Sequence, residues 1–371
     1  MICYNCGDKK IFTTNFGDIP LSLQYNKTYN KFLTHRLELC QCKNCGIIFQ
    51  RKPIKFKYLK QRYQYKFVEP EFHLDSIKQL LVKIFYDKDK VNFSIVSYKD
   101  ISLADRLDDS KFQKKYCIDK ILTKHNYLSF LYSTNKEIIS NIIEKYKKVD
   151  LLIQRHSIEH VFHLKKFIKR ACTLLSDDGI YLIEVPNASK SFINFDYTVI
   201  WDEHNYYFTE ETINNLTLNT NFKILSLQNI QNKNSSEDIL VIILQKISSK
   251  NYKHYTFENT LQHYFKFVHN FNFFKFSINR FFKELKESYV TICFIGIGHH
   301  CSTFLHIFSL YSFVDQLIDQ SNIKRGKYIP NINKMIKYSS FKENSFIINC
   351  INDKNKYIDK INIHSILNQF K

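Results

Sequence analysis

The chain has 371 residues, 44% of them hydrophobic and 24% charged, a balance that suits two or three folded modules and excludes wholesale disorder. No apolar run is long enough to span a bilayer and no secretory leader opens the sequence, so a cytoplasmic protein without a membrane partner is expected. The formal charge of +19 comes from lysines dispersed along the chain, a solvated basic surface that suits a phosphorylated small substrate and leaves nucleic acid as the lesser alternative.

The first module is marked by cysteine. Cys3-x-x-Cys6 and Cys42-x-x-Cys45 each put two thiolates on a tight knuckle, and two knuckles supply the four soft ligands that tetrahedral zinc prefers. Such use of cysteine, with no disulfide scaffold around it, fits a reducing compartment. Gly7 and Gly46 follow the knuckles, where glycine lets backbone N–H groups turn toward sulfur. An all-thiolate tetrahedron leaves no open position, so a structural site is expected. Cys40, separated from Cys42 by one residue, is the poorer substitute ligand. Leu37-Glu38-Leu39 and Gly46-Ile47-Ile48-Phe49 give this module a core small enough to need a staple. A connecting segment from Pro53 to Asp75 carries Tyr58, Tyr63, Tyr65, Phe67 and Pro70.

From Ser76 to Lys250 the pattern predicts alternating helix and strand. The series is helix Ser76–Tyr86, strand Val91–Val96, helix Leu103–Leu107, strand Lys115–Ile118, helix Lys136–Tyr146, strand Val149–Gln154, helix Leu164–Leu175 and strand Ile180–Val185. Alternation of this kind predicts an α/β domain whose mostly parallel sheet has helices on both faces. Phe222–Leu227 and Ile239–Gln245 then read as a hairpin around the polar loop 232–236. Phe267, Phe271 and Phe274 fall at helical spacing and read as helix core. A strand Val290–Ile295 leads into Gly296-Ile297-Gly298-His299-His300 and opens a second α/β unit, with a turn of the kind that presents N–H groups to phosphate. The expected modules are 1–75, 76–250 and 251–371.

Several of these segments together resemble the sugar C-methyltransferases. Cys3-x-x-Cys6-Gly7, Phe16-Gly17-Asp18-Ile19-Pro20-Leu21 and Leu37-Glu38-Leu39-Cys40-Gln41-Cys42-x-x-Cys45-Gly46 are similar to that family's N-terminal zinc module. The likeness runs on through Val149-Asp150-Leu151-Leu152-Ile153, His156-Ser157-Ile158-Glu159-His160-Val161, Asp178-Gly179 to Pro186-Asn187, Trp201-Asp202-Glu203-His204 and Tyr207-Phe208-Thr209. It resumes in Gly296-x-Gly298-His299, Asp319 and Lys324-x-Gly326-x-Tyr328-x-Pro330, so most of the chain is covered. The resemblance implies an α/β fold. A class I methyltransferase (Rossmann-like) sheet, with the hairpin as its antiparallel edge, stands between a small N-terminal zinc module and a C-terminal Rossmann-like α/β domain. It also implies S-adenosylmethionine and Zn2+ as cofactors, a nucleotide-linked keto-deoxysugar as substrate, transfer of methyl to carbon, and a monomer or homodimer.

In a doubly wound sheet the ligand lies beyond the C-terminal strand ends, so the loops after Val96, Ile118 and Ile153 should face S-adenosylmethionine. Asp119 is placed to bind ribose hydroxyls, the alternative being a plain strand-ending turn residue. The first loop, Ser97-Tyr98-Lys99-Asp100-Ile101-Ser102, has no glycine. Ser97 and Asp100 are its candidate cofactor contacts, Asp100 at an acidic position of the family's loop, with Asp105 one turn onward. A loop without glycine also admits a catalytically silent binding protein, and the knuckles with the basic charge admit a zinc-ribbon nucleic-acid binder.

C-methylation beside a ketone requires loss of an α-proton to give an enolate, and a histidine with a pKa of about 6.5 can be neutral and accept it. The resemblance makes His204 that base and Glu203 the sugar ligand or orienter, with Trp201 where the family commonly has Tyr. Tyr63, Tyr65 and His73 fall on its aromatic, substrate-facing segment. Trp201, Tyr207, Gly296, Gly298 and His299 are candidate substrate contacts. His156 and His160, four apart at the start of a post-strand helix, read as cofactor-pocket residues because no HExxH motif surrounds them.

Overall fold

The computed structural model describes residues 1–21, 24–29, 32–54, 71–107, 109–124, 136–218, 220–231, 237–249, 257–288, 291–338, 345–351 and 361–371; Tyr63 and Tyr65 lie outside them. Three sheets organise these residues. The first begins with β1 (Ile11–Pro20), β2 (Thr34–Cys42) and β3 (Ile48–Gln50), joined antiparallel.

The central sheet holds β4 (Val91–Ile95), β5 (Phe112–Cys117), β6 (Val149–Arg155) and β7 (Leu175–Asn187), all parallel. The two-residue strand β8 (Tyr206–Tyr207) returns to the first sheet and pairs with β3, so that sheet is completed from the middle of the chain. β9 (Phe222–Ile230) and β10 (Asp238–Lys246) finish the central sheet in the order β5-β4-β6-β7-β10-β9, with β10 antiparallel to both neighbours. The chain leaves β4 for β5 on one side and returns to β6 on the other. This reversal opens a crevice at the C-terminal ends of β4 and β6.

The apolar run Ile239-Leu240-Val241-Ile242-Ile243-Leu244 follows from burial on both faces, since successive strand residues point to opposite sides. Ile239, Val241 and Ile243 enter one core with helices Leu74–Ile84 and Ile101–Leu107. Leu240, Ile242 and Leu244 enter the other, with helices Lys136–Tyr146 and Leu164–Leu174. The elements predicted between Ser76 and Lys250 are present with shifted ends, whereas β8 and the helices Ile118–Lys124, Ala188–Ile193 and Glu210–Leu216 are not among them. The second strand starts at Phe112, ahead of Lys115, because β5 is the edge of the sheet and tolerates half-exposed Gln113 and Lys114.

The third sheet is wholly parallel: β11 (Thr291–Ile295), β12 (Gln316–Ile318), β13 (Ile336–Lys337), β14 (Ser345–Asn349) and β15 (Ile361–Asn362), ordered β13-β12-β11-β14-β15. The long helix Glu258–Glu287 buries Phe267, Phe271, Phe274, Ile278 and Phe282 along one stripe. That stripe joins Phe16 and Leu37 of the first sheet, Phe294 of the third and Phe304 of the helix His299–Ile307 in one core, with the Phe16 and Phe271 rings 4.8 Å apart. Among the described residues no helix is long and apolar enough to cross a membrane.

Candidate metal centre and active site

The four knuckle cysteines converge, their sulfurs all within 4.8 Å of one another. Cys3 and Cys45 Sγ are 3.7 Å apart and Cys6 and Cys42 Sγ 3.5 Å. Four thiolates about 2.3 Å from a central ion have a mutual spacing of about 3.8 Å, so the set is preformed for a tetrahedral ion. The backbone N–H groups of Asn5 and Asn44 donate to Cys3 and Cys42 sulfur, each at 3.4 Å. The N–H groups of Gly7 and Gly46 themselves bond the carbonyls of Cys3 and Cys42, and the positive φ of both glycines closes the knuckle. Crowded sulfurs cannot share negative charge without a cation. Hydrogen bonds from Cys3 hold the Cys6 and Cys42 thiols low, while bonding from Cys42 raises Cys3 and bonding from Cys3 raises Cys45. Cys40 is not part of this set; its sulfur pairs with the Thr13 hydroxyl at 3.4 Å.

At the crevice, Asp100 is fully buried and knits the loop after β4. Its Oδ2 accepts from the N–H groups of Val96 at 3.0 Å and Ser97 at 2.7 Å, and its Oδ1 from Arg155 N–H at 2.6 Å. In place of a glycine turn the loop uses its own carboxylate, and burial pushes that carboxyl up to about 7 against those hydrogen bonds. Ser97 caps the short turn Tyr98–Asp100, and Lys99 Nζ donates to the carbonyl of His156 across the crevice. Asp105 is exposed on the far side of its helix. Asp119 begins the helix after β5, its N–H on the carbonyl of Val96 at 3.0 Å, so its side chain is delivered to the same edge as Ser97.

Behind this loop lies an ionic group that sequence reasoning missed. Arg155, wholly buried, engages Glu184 through Nε, and its Nη1 reaches Ser102 Oγ at 2.9 Å and the carbonyl of Lys99 at 3.2 Å. His73 Nε2 lies 2.9 Å from the other Glu184 oxygen, so His73 belongs to this group as well as to the expected aromatic segment. Burial alone would push Glu184 up, yet hydrogen bonds from His156 and His73 and the Arg155 charge hold it well below the usual carboxylate range. The signal was a charge inside the apolar run Ile183-Glu184-Val185, which a buried strand accepts only with a partner.

His156 does not open a helix. It sits at φ 45°, followed by the turn Ile158–His160, and the helix waits for Leu164. The turn is fastened to the Glu203-His204 segment: Asn205 N–H donates to the Glu159 carbonyl at 2.8 Å, and His160 Nδ1 lies 2.8 Å from the Glu203 carbonyl. The His204 and His160 rings are 5.0 Å apart, and Trp201 packs 4.9 Å from His204. A cavity of about 10 Å³, room for one water-sized body, is lined by His204, Glu159, Tyr206 and Tyr207 among others. Burial, reinforced by the neighbouring His160 ring and the Lys99 charge, keeps His204 well below the ordinary histidine value and so neutral at cellular pH. Burial raises the Tyr98 hydroxyl, with the Glu203 and Asp119 carboxylates adding to it.

The Gly296-x-Gly298 turn reaches the same place. The N–H groups of Gly296, Ile297 and Gly298 bond the Ile318 carbonyl, Asp319 Oδ2 and the Gly296 carbonyl, so they are engaged within the protein instead of facing a phosphate. What the turn delivers is His299, stacked on Trp201 at 4.7 Å and 22°. Tyr207 OH accepts from Trp201 N–H at 3.0 Å and so holds the tryptophan segment from beneath.

A family model described as a methyltransferase domain matches residues 57–227. A protein of Amsacta moorei entomopoxvirus, provisionally named a glycylpeptide N-tetradecanoyltransferase, is 27% identical over 225 residues, 56% of this chain and 71% of that protein. Among solved structures, the N-methyltransferase NodS from Bradyrhizobium japonicum WM9 in complex with S-adenosylhomocysteine is similar with a TM-score of 0.33 and 10% identity, covering 52% of this chain and 97% of that one. The 1,6-didemethyltoxoflavin-N1-methyltransferase of Burkholderia thailandensis is similar with a TM-score of 0.29 and 8% identity, covering 56% of this chain and 99% of that one. The central sheet, parallel but for β10, has the class I methyltransferase (Rossmann-like) fold, and residues 57–227 are similar to a methyltransferase domain.

Proposed function

We propose that the chain transfers the methyl group of S-adenosylmethionine to a carbon of a nucleotide-linked keto-deoxysugar, with Zn2+ in the four-cysteine centre as a structural ion. The observation that carries this reading is the meeting of Trp201, His204 and His299 in one cluster, fastened through Glu203 to the turn that follows β6. The residues at the crevice fit the cofactor. Asp119 suits the ribose hydroxyls, and Ser157 Oγ, a buried hydroxyl with no hydrogen-bond partner, marks an unfilled polar position at the lip of β6. Ser97, Lys99, His156 and His160 complete that wall, with Asp100 as the brace of its loop. Once bound, the cofactor supplies an electrophilic methyl on a sulfonium.

The chain's own residues do the rest. Neutral His204 accepts the α-proton beside the sugar ketone, and Glu203 orients the sugar. Trp201 and His299 wall the site against water, and the partly exposed edge of His204 releases the proton to solvent. The cavity under His204 is too small for a sugar, so the substrate docks on the exposed side of that ring, with Tyr207 and the Gly296 to Gly298 turn as second-rank supports. Isothermal titration of the full, zinc-loaded chain with S-adenosylmethionine and its demethylated product tests the first half, and mass analysis of nucleotide-ketosugars incubated with both tests the second. One-to-one saturable binding and a gain of one methyl group on carbon are expected. A folded chain that binds neither ligand overturns the proposal in favour of a silent binding protein, which the Asp100 carboxylate, in taking the loop's own N–H groups, would suit.

A further inference from the structure

We propose that Glu159, His160 and His204 form a second metal site, separate from the cysteine centre, for a divalent transition ion of the zinc class. Their ligand atoms all lie within 4.8 Å of one another, with His160 Nε2 3.7 Å from Glu159 Oε1. The geometry of His160 is that of a ligand held in readiness. Its Nδ1 faces the carbonyl oxygen of Glu203 at 2.8 Å, and a carbonyl can only accept, so the proton is on Nδ1 and the lone pair on Nε2. Metal-binding histidines are fixed in this way, by donating the other ring N–H to a carbonyl or carboxylate. Nε2 itself has no hydrogen-bond partner, although the residue is 95% buried, which leaves an acceptor facing inward toward Glu159 and His204.

The frame is rigid as well as correctly populated. Asn205 fixes the turn that carries Glu159 and His160 through its N–H to the Glu159 carbonyl and its Nδ2 to the His160 carbonyl, both at 2.8 Å. Glu159 and His204 also line a cavity of about 10 Å³ that adjoins the group and that His160 does not line. Two imidazoles and one carboxylate are the donor set that suits zinc, iron, cobalt or manganese, and three protein ligands leave positions open for a water or a substrate oxygen. This site shares His160 and His204 with the methyl-transfer reading, but its occupancy is read with no substrate or cofactor present, so the two fail separately. With an ion bound, His204 is a ligand, and its proton-accepting role belongs to the ion-free chain.

The test is titration of the full, zinc-loaded chain with Co2+, followed by metal analysis and visible absorption. One further equivalent is expected, with weak d–d bands and no thiolate charge transfer, and it should be lost in His160→Gln and in Glu159→Gln while the cysteine-bound zinc stays. Retained zinc and an unchanged circular dichroism spectrum show that each variant is folded. Proton resonance of the unaltered chain adds a measurement that needs no variant: an exchange-protected, contact-shifted imidazole N–H, from His160 Nδ1 bonded to Glu203, should appear on adding Co2+. No further equivalent in the unaltered chain, its persistence in both variants, or the absence of that resonance would each overturn the proposal.

Discussion

Arg155→Met removes the guanidinium at the centre of the buried ionic group and leaves Glu184, itself wholly buried, with His73 and His156 as its remaining partners. Removing one member of a buried pair costs roughly 3–5 kcal/mol, because the other charge stays desolvated. At roughly 2–4 °C per kcal/mol, the midpoint of thermal unfolding should fall by roughly 6–20 °C. Glu184 is held below its unfolded value of 4.5, so its stabilisation is fully present above that pH and is lost only as pH drops through the lower folded value. The difference between the parent and variant chains should therefore persist at neutral pH and narrow only in strongly acid solution. Urea unfolding of Arg155→Met, Glu184→Met and the double variant completes the cycle. The double variant should lose less than the sum of the singles by about 2 kcal/mol or more, since an apolar pair replaces the ionic one without stranding a charge. A single-variant loss under about 1 kcal/mol, or full additivity, would refute the account of a coupled buried pair.

Other outcomes can be checked alongside. Cys42→Ser should release the bound zinc and lower the unfolding midpoint, whereas Cys40→Ser should keep the ion; metal analysis separates them. His204→Asn should lower kcat by about 10²- to 10⁴-fold with S-adenosylmethionine affinity unchanged in titration, and equal turnover would remove the base assignment. Burial holds His306 and His300 at about 4, below their unfolded value of 6.5, so their contribution is present above pH 6.5 and lost as pH falls toward 4. His306→Gln should accordingly flatten the loss of stability between those pH values in thermal melts. Gly296→Ala should cost roughly 1–3 kcal/mol in urea unfolding, because at φ +80° an added Cβ would lie 2.3 Å from Ile351 Cγ1.

Much of the central sheet was legible because burial on two faces writes apolar runs such as Ile239 to Leu244 and separates them by amphipathic helices. The cysteine centre was legible because its ligands come in local pairs. The active-site frame was less so. β8 is two residues long and announces itself by no period, and its pairing with β3 is purely tertiary. The link from Arg155 to Glu184 joins two strands, so the sequence displayed two odd charges without their match. His156 and His160 looked like a helix entry by spacing alone, and the positive φ of His156, set by its N–H on the Glu184 carbonyl at 2.9 Å, overrode that spacing. The engaged N–H groups of the Gly296 turn were likewise invisible without Asp319 in place.

The borrowed strand β8 bears on the order in which the molecule assembles. On a growing chain the cysteine knuckles are complete once Cys45 has emerged, and an ion can gather them early. The open edge of β3 has no neighbour until Tyr206 and Tyr207 are made, and the Phe16 and Leu37 face waits longer still for the long helix. Nascent protein thus passes through a stage with an unpaired edge and an uncovered apolar face, the features that recruit chaperones or mispair with neighbouring chains. Fragments ending before β8 should be aggregation-prone however well they hold the ion.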